Sequence, residues 1–288
     1  MIDRPALIAW RSKAPWANPV QIEQDLLLSR LMIEIARDDV LGPELAMRGG
    51  TCLHKLHLPT PLRYSEDLDY VRRTHTGIKP YTQALGALAE RLGLTLSNRQ
   101  RSGQMVHVYL DTQPTEGVGR IRIKIEMNIA ETQPHQPLKT IRHTVKTSWW
   151  SGEADIPTYE TSELLATKLR ALYQRSKGRD LFDLWLGLTT LNTDPDQIIA
   201  GFNHYMQDAA FSFPELRDNL TAKLDSTRFL RDLNTLVTNT PTGYDPNTAA
   251  DLVMRKLASR LRNAPPTDEI APLDTKPTPT PPAGQNPP

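Results

Sequence analysis

Cysteine is nearly absent from this 288-residue chain, in which Cys52 is the only one. A single cysteine excludes an intrachain disulfide and a zinc site built from several cysteines. An excess of charge of one sign is also lacking, because 34 Lys and Arg against 33 Asp and Glu leave a formal net charge of +1. The overall charge therefore argues neither for nor against a nucleic-acid partner, and a local basic patch remains compatible with it.

Long apolar runs are missing as well. No window of about 18 apolar residues occurs, so we expect no membrane-spanning helix. Asp3, Arg4, Arg11 and Lys13 interrupt the first residues, which lack the continuous apolar stretch of a secretory signal. We expect a soluble, cytoplasmic protein with no membrane partner.

Helix and strand patterns alternate up to residue 150. Helices are expected at Gln21–Val40, Thr51–Leu58 and Pro80–Leu92, and strands at Ser65–Arg73, Leu94–Arg99, Met105–Leu110, Gly119–Ala130 and Thr140–Lys146. The strand pattern of Gly119–Ala130 is the strongest, because isoleucines alternate strictly with polar residues. We therefore expect an α/β domain over residues 1–150, joined to the rest near Ser151–Thr158.

The remainder of the chain has helical periodicity and then loses all periodicity. Helices are expected at Glu160–Gln174, Arg179–Leu191, Pro195–Gln207, Glu215–Leu224 and Asn247–Arg262. These form a helical domain over residues 151–263 and complete an α+β fold. Nine of the 25 residues from Ala264 to Pro288 are proline, which predicts a disordered or polyproline-like tail.

Two aspartates one residue apart, Asp67 and Asp69, are the most informative feature. In a strand their side chains project from the same face, with Ser65 two positions further back. Two close carboxylates raise the pKa of one of them unless a cation lies between them, and their hard oxygens suit Mg²⁺. The alternative is a solvated strand edge.

A glycine turn is the candidate phosphate site, and the sequence contains no Walker-type loop, nucleophile elbow or His-Glu-x-x-His motif. Gly49-Gly50-Thr51 precedes an expected helix. Exposed amides at a helix N-terminus attract phosphate oxygens, and glycine lets the backbone approach closely. Thr51 would donate to phosphate or merely cap the helix.

Glu126 is the third candidate carboxylate. It lies on the polar face of its strand, and it completes a site of three acids if that strand pairs beside the Asp67 strand. The alternative is an ordinary solvent-facing side of a sheet. Lys124 and Arg122, on the same face, would neutralise the acids or contact RNA.

Lys168 lies on the apolar stripe of its helix, where a lysine needs a partner. A triphosphate or a carboxylate would serve, and a lysine that extends along the stripe edge is the alternative. Asp180 and Asp183 are the only acids of the next helix, which is apolar nearly all round. The available pairs are Lys168 with Asp183, and Arg175 and Arg179 with Asp180; a structural salt bridge between helices is the alternative.

These features together resemble a known family. Five blocks in order carry the resemblance: Arg48-Gly49-Gly50-Thr51, Arg63-Tyr64-Ser65-Glu66-Asp67-Leu68-Asp69, Lys124-Ile125-Glu126, Glu163–Leu172 and Arg179–Leu184. They are similar to the AbiEii-type nucleotidyltransferase toxins, a group that includes the mycobacterial MenT toxins. The resemblance runs from about Gln21 to Leu191, and the combination is more specific than any single block.

The resemblance implies a DNA-polymerase-β-like nucleotidyltransferase fold, with a mixed sheet, flanking helices and a helical C-terminal part. It also implies the toxin half of a toxin–antitoxin pair, with a cognate antitoxin. Characterised relatives transfer nucleotides from NTPs to the 3′ acceptor end of tRNA, which blocks aminoacylation.

Roles for individual residues follow from the same resemblance. Asp67 and Asp69 are the implied metal ligands, and Glu126 occupies the position of a third carboxylate. Ser65 is expected in the nucleotide pocket. Lys168 is expected at the triphosphate, with Asp183 as an essential acid near it; we count Asp67, Asp69, Lys168 and Asp183 as catalytic.

The sequence therefore predicts a nucleotidyltransferase that uses Mg²⁺, or Mn²⁺, and an NTP to modify RNA, with tRNA as the expected acceptor. Two alternatives remain. One is nucleotide transfer to a protein hydroxyl, and the other is a non-catalytic module that binds nucleotide or RNA.

Overall fold

A computed structural model describes residues 2–115, 118–207 and 211–273. Its centre is a seven-stranded sheet in the order β3-β4-β5-β2-β1-β7-β6. The strands are β1 (Leu45–Arg48), β2 (Asp67–Arg72), β3 (Thr95–Ser102), β4 (Met105–Thr112), β5 (Ile121–Asn128), β6 (Lys139–Lys146) and β7 (Ser151–Thr158). β2 pairs with β5 and β1 with β7 in parallel, whereas the other neighbours are antiparallel. The mixed sheet confirms the expected α+β fold.

Helices flank this sheet and make up the C-terminal part. They are α1 (Arg4–Trp10), α2 (Pro19–Arg37), α3 (Gly49–Cys52), α4 (Lys79–Arg91), α5 (Thr161–Gln174), α6 (Gly178–Thr190), α7 (Pro195–Met206), α8 (Phe213–Leu224), α9 (Thr227–Leu230) and α10 (Pro246–Lys256). A π-helical turn, Leu53–His57, continues α3. Within the described ranges, no helix combines the length and the apolar composition that crossing a membrane requires.

One face of the sheet is buried beneath α2 and α4. The alternation of β5 places Ile121, Ile123 and Ile125 in a core that also contains Leu26 of α2 and Leu88 of α4. α2 contacts β5, β6 and β7, and α4 contacts β3. Because side chains alternate along a strand, the polar residues of β5 project from the opposite face.

A second core lies among α5, α6, α7, α8 and α10. α5 and α6 pack closely because Gly187 leaves room: a Cβ atom there would lie 2.5 Å from a methyl carbon of Leu165. Leu53, from the turn after α3, belongs to this second core. The turn that follows β1 is therefore attached to both the sheet and the helical part.

Two boundaries expected from the sequence are wrong. Ser151–Thr158, expected as a junction, is β7 and lies inside the sheet between β1 and β6. Pro157 and Gly152 weaken its strand pattern, since both residues are unfavourable within strands.

The expected disordered tail begins too early. Ile270 and Leu273 are buried in the second core, and the Leu273 amide donates to Asp251 Oδ1 at 3.1 Å. Ile270 and Leu273 therefore hold residues 264–273 against the helical part, and the rest of the expected tail, 274–288, lies outside the described residues.

Candidate active site

Carboxylates from two strands meet on the open face of the sheet. β2 begins at Asp67, so Asp67 and Asp69 project from the same face as expected. In the parallel pair of β2 and β5, Asp69 lies opposite Glu126 and Asp67 lies opposite Lys124. The structure thus brings together the three acids that the sequence singled out, while their roles remain predictions.

Lys124 is bound between two of these acids. Its Nζ lies 2.9 Å from Asp67 Oδ2 and 2.7 Å from Glu126 Oε1. Although burial opposes a charge on Lys124, the two carboxylates raise its pKa. This arrangement agrees with the expectation that Lys124 neutralises the acids.

Asp69 is the acid with the least compensation. Burial, together with the charges of Glu126 and Asp67, raises the pKa of Asp69 to about 7. Burial also raises the pKa of Asp67. At Glu126 burial acts in the same direction, but the hydrogen bond and charge of Lys124, together with the hydrogen bond to Asp69, outweigh it and lower the pKa. The site therefore carries a negative charge that a nearby cation would stabilise.

The donor set fits a divalent cation. Three carboxylates supply the hard oxygen ligands that Mg²⁺ and Mn²⁺ accept, and the charges of Lys168 and Arg48 compensate Asp69 only in part. Among the described residues, no cluster of three His, Cys, Asp or Glu side chains is already arranged around a common point. Lys124 lies between Asp67 and Glu126, so their side chains would have to rotate for all three acids to bind one ion.

The glycine turn lies against the acids. Gly49 has φ +83°, and a Cβ atom there would lie 2.0 Å from Asp69 Oδ2. A Cβ atom on Gly50 would lie 2.4 Å from a terminal nitrogen of Arg63 and 3.1 Å from Ser65 Oγ. Both positions therefore require glycine. Gly49 needs it for its positive φ and its close approach to Asp69, and Gly50 needs it because Arg63 and Ser65 occupy the space of a side chain.

Thr51 does not reach the cavity. Its side chain is buried, and its Oγ1 lies 2.5 Å from the carbonyl oxygen of Asp67 and 2.9 Å from Ser65 Oγ. It therefore ties the glycine turn to the start of β2, which does not favour the direct phosphate contact expected from the sequence. Ser65, by contrast, lines the cavity.

Lys168 is paired with carboxylates. Its Nζ lies 2.8 Å from Asp183 Oδ2 and 3.5 Å from Asp180 Oδ1. Arg175 donates two hydrogen bonds to Asp180, at 2.7 and 2.9 Å. These pairs were expected, whereas the expected pairing of Arg179 with Asp180 is wrong, because Arg179 lies nearest to Asp232, at 3.9 Å.

Asp183 is surrounded by cationic and hydrogen-bonding groups. Arg63 donates to both of its oxygens, at 2.7 and 2.6 Å, and His54 Nε2 lies 3.0 Å away. Although burial opposes the charge, Arg63 and Lys168 hold the pKa of Asp183 well below its usual range. Asp183 therefore positions Arg63 and Lys168, and it has no free oxygen edge for a metal.

Arg63 and His54 are the site residues that sequence reasoning missed. Arg63 is buried and lines the cavity, four residues before Asp67. One signal in the sequence could have led to Arg63: the acids of the apolar helix, Asp180 and Asp183, need cationic partners when they are buried. Neither helical nor strand periodicity connects position 63 to position 183.

The acids and cations face each other across a cavity of about 280 Å³. Its walls include the glycine turn, the three acids and Lys124, and on the helical side Lys168, Arg170 and Arg175. Arg48 and Arg170 both pair with Glu131, at 2.6 and 2.7 Å, which fixes β1 against α5. A cavity with paired acids on one wall and several cations on the other suits a polyphosphate bound together with a metal ion.

The mixed sheet and this acid–cation cavity suit a nucleotidyltransferase. The profile of the family described as "Nucleotidyl transferase AbiEii toxin, Type IV TA system" matches residues 30–255, so the chain belongs to the AbiEii family. It is therefore a nucleotidyltransferase of a toxin–antitoxin system, with an NTP as substrate and an antitoxin as counterpart. This membership does not favour the alternative of a non-catalytic binding module.

Two solved structures are similar in fold. The nucleotidyltransferase toxin MenT4 from Mycobacterium tuberculosis H37Rv has a TM-score of 0.61 at 16% identity, over 89% of this chain and 90% of that one. JHP933 from Helicobacter pylori has a TM-score of 0.50 at 15% identity, over 83% and 91% of the two chains. At these identities the likeness shows the fold alone. No curated protein matches the sequence.

Proposed function

We propose that this protein transfers nucleotides from an NTP to the 3′ acceptor end of tRNA in the cytoplasm, in a reaction that depends on Mg²⁺, and so blocks translation. The observation that carries the proposal is the placement of Asp67, Asp69 and Glu126 on one sheet face. These acids face the cationic helical wall across the cavity.

The two walls of the cavity contact different parts of the nucleotide. Gly49, Gly50 and Ser65 line the sheet side of the cavity, and Lys168 and Arg175 supply positive charge from the helical side. Because Asp180 and Asp183 already hold these two cations, the cations are positioned before the nucleotide binds. Such preorganisation reduces the cost of ordering side chains around the triphosphate.

Asp67, Asp69 and Glu126 would hold Mg²⁺, with Mn²⁺ as the alternative ion. When bound, the ion neutralises phosphate charge and favours ionisation of the acceptor hydroxyl. The residues of the cavity hold the α-phosphate in line between the acceptor and the leaving group.

The transfer is a nucleophilic substitution at phosphorus in which one bond forms and one breaks. The 3′ oxygen of the RNA bonds to the α-phosphorus, and the bond from that phosphorus to the oxygen bridging to the β-phosphate breaks. Pyrophosphate leaves, and the hydroxyl proton passes to solvent. No oxidant or reductant is needed.

The test is to incubate the protein with each radiolabelled NTP, total tRNA and a protein extract. Label in tRNA-sized bands that RNase removes and protease leaves is the expected result, and it should be absent with Asp69→Asn. Label that protease removes instead would favour nucleotide transfer to a protein hydroxyl. No label in either fraction, in the presence of Mg²⁺ or Mn²⁺, would contradict the proposal.

A further inference from the structure

We propose that the open face of β4 and β3 is the surface that binds the unpaired 3′ end of the acceptor RNA. We call it the β4–β3 platform and define it by His107 and Tyr109 of β4, Arg122 of β5, and Asn98 and Gln100 of β3. This inference rests on the proposed transfer to RNA and adds the residues that would hold the acceptor.

The register connects the platform to the acids in two rows. In one row, Asp69 lies opposite Glu126, Glu126 opposite His107, and His107 opposite Gln100. Neighbouring strands lie about 4.8 Å apart. A chain lying across β4 therefore ends at the carboxylates after about two strand spacings.

The second row has the same form. Asp67 lies opposite Lys124, Lys124 opposite Tyr109, and Tyr109 opposite Asn98. Residues opposite each other in a sheet project from the same face. The first row therefore places His107 next to Glu126, which is itself one of the acids, and the second places Tyr109 next to Lys124, which pairs with Asp67 and Glu126.

The aromatic and cationic side chains form flat surfaces suited to bases. The His107 and Tyr109 ring centroids are 6.4 Å apart, and the Arg122 guanidinium lies 5.5 Å from the Tyr109 centroid. Bases of unpaired RNA stack on aromatic rings and on guanidinium planes. Stacking tolerates any base, which suits a surface that receives an RNA end.

The platform also has excess positive charge at one end. Arg120 and Arg122 share the single carboxylate of Asp111, at 3.1 and 2.9 Å. The side chains of Arg120 and Arg122 are 52% and 43% exposed, so they remain accessible to phosphate oxygens. One carboxylate balances only one of these two guanidinium groups.

The platform is open to an incoming chain. Asn98 and Gln100 are exposed, and His107 and Tyr109 are partly exposed. The ring nitrogen Nε2 of His107 is buried without a hydrogen-bond partner in the described part of the chain.

The direction of the reaction favours this face. In an in-line transfer, the attacking hydroxyl and the leaving pyrophosphate lie on opposite sides of the α-phosphorus. Lys168 and Arg175 attract the triphosphate towards the helical wall. The hydroxyl therefore approaches from the other side of the acids, where β5 continues into β4 and β3.

The first experiment measures RNA binding and NTP use by the full-length protein. The probe is an RNA hairpin with an unpaired 3′ end, and the variants are Tyr109→Ala, Tyr109→Phe and Arg101→Gln. Arg101 is exposed on the same hairpin but lies opposite Val106, whose side chain is in the core, so the control removes one charge from the other face.

Tyr109→Ala should weaken RNA binding about tenfold and raise the KM for RNA, because stacking is lost. The KM for NTP should stay unchanged, and Tyr109→Phe and Arg101→Gln should remain within about twofold of the wild type. Equal RNA affinity of Tyr109→Ala and the wild type would overturn the platform. An equal rise in both KM values would also overturn it, because it would show that the substitution disturbs the whole site and not RNA binding in particular.

The second experiment measures salt dependence. Arg122→Gln should reduce the slope of log Kd against log salt concentration by about 0.7, the value expected for one lost phosphate contact with single-stranded RNA. An unchanged slope would overturn the assignment of Arg122.

Nucleotide transfer to RNA and RNA binding by the β4–β3 platform can be tested separately. If the wild type adds nucleotides to RNA and Tyr109→Ala binds RNA normally, only the platform is wrong. If the wild type adds nucleotides to no RNA, the proposed function fails and the platform fails with it.

Discussion

Asp69 of β2 lies directly opposite Glu126 of β5, and the two carboxylates share a face that is open to the cavity. Burial and this neighbour raise the pKa of Asp69 to about 7. A fold that keeps two acids this close, with Asp69 poorly compensated, gives up stability at this point. A bound cation would recover it, which links the geometry to the expected metal.

The first prediction concerns Asp69. Asp69→Asn should reduce nucleotide transfer by at least about a hundredfold. The metal loses a carboxylate ligand, and the charge that forms in the transition state is then stabilised less well. Its free energy of unfolding should stay level or rise, since a buried repulsion disappears. Transfer assays and urea unfolding measure the two effects.

Asp155→Asn is the matched control, because Asp155 is an exposed acid of β7 that pairs with Arg142. It should change neither activity nor stability appreciably. Loss of stability in Asp69→Asn without loss of transfer would contradict the assignment.

The second prediction concerns Asp183. Asp183→Asn should lower the free energy of unfolding by about 3–5 kcal/mol, because the Arg63 and Lys168 cations lose their buried counter-charge. Transfer should fall as well, through displaced cations. Urea unfolding distinguishes this variant from Asp69→Asn, and unchanged stability would show that the cluster is weaker than its geometry implies.

The third prediction concerns the glycine turn. Gly49→Ala should cost roughly 1–3 kcal/mol of stability and greatly reduce transfer, because the left-handed backbone is strained and the new methyl group displaces the Asp69 carboxylate. Gly77→Ala is the control, since a Cβ atom there meets nothing within 4 Å. Thermal unfolding and transfer assays of both variants provide the comparison, and full activity of Gly49→Ala would contradict the described turn.

The fourth prediction concerns pH. Burial, together with the charge of Arg63, lowers the pKa of His54 to about 4, despite its hydrogen bond with Asp183. A histidine of the unfolded chain has a pKa of about 6.5. Between about pH 4 and 6.5 the unfolded chain is therefore protonated at His54 while the folded protein is not. The contribution of His54 to stability should therefore decrease as the pH falls from about 6.5 to 4, opposite in sign to that of Asp69, whose pKa is raised.

Burial also lowers the pKa values of His57 and His143 to about 4, so they contribute in the same direction. His54→Gln should remove the contribution of one histidine to the slope of the free energy of unfolding against pH, about 1.4 kcal/mol per pH unit between the two pKa values. Urea unfolding at several pH values measures this difference, and parallel curves for the two proteins would show that His54 does not contribute.

Local patterns predicted much of the fold. The alternation along β5 placed Lys124 and Glu126 on the polar face, as observed. The spacing of Asp67 and Asp69 placed both on one face of β2. These assignments depend on periods of two residues, which the chain expresses locally.

Relations between distant segments were harder to predict. The pairing of β2 with β5 was stated only as a condition, because a parallel register depends on the connections and packing of the whole sheet. The contact of Arg63 with Asp183 joins a loop to a helix 120 residues later. β7 was missed for a local reason, since Gly152 and Pro157 obscure its alternation.

The most direct test of the central claim is the initial rate of pyrophosphate release from an NTP with tRNA present, measured against Mg²⁺ concentration. The wild type should release no pyrophosphate in EDTA and regain activity as Mg²⁺ is added, while Asp69→Asn should stay inactive at every concentration. Release by the wild type at the same rate in EDTA, or normal release by Asp69→Asn, would contradict a metal-dependent site built on Asp67, Asp69 and Glu126.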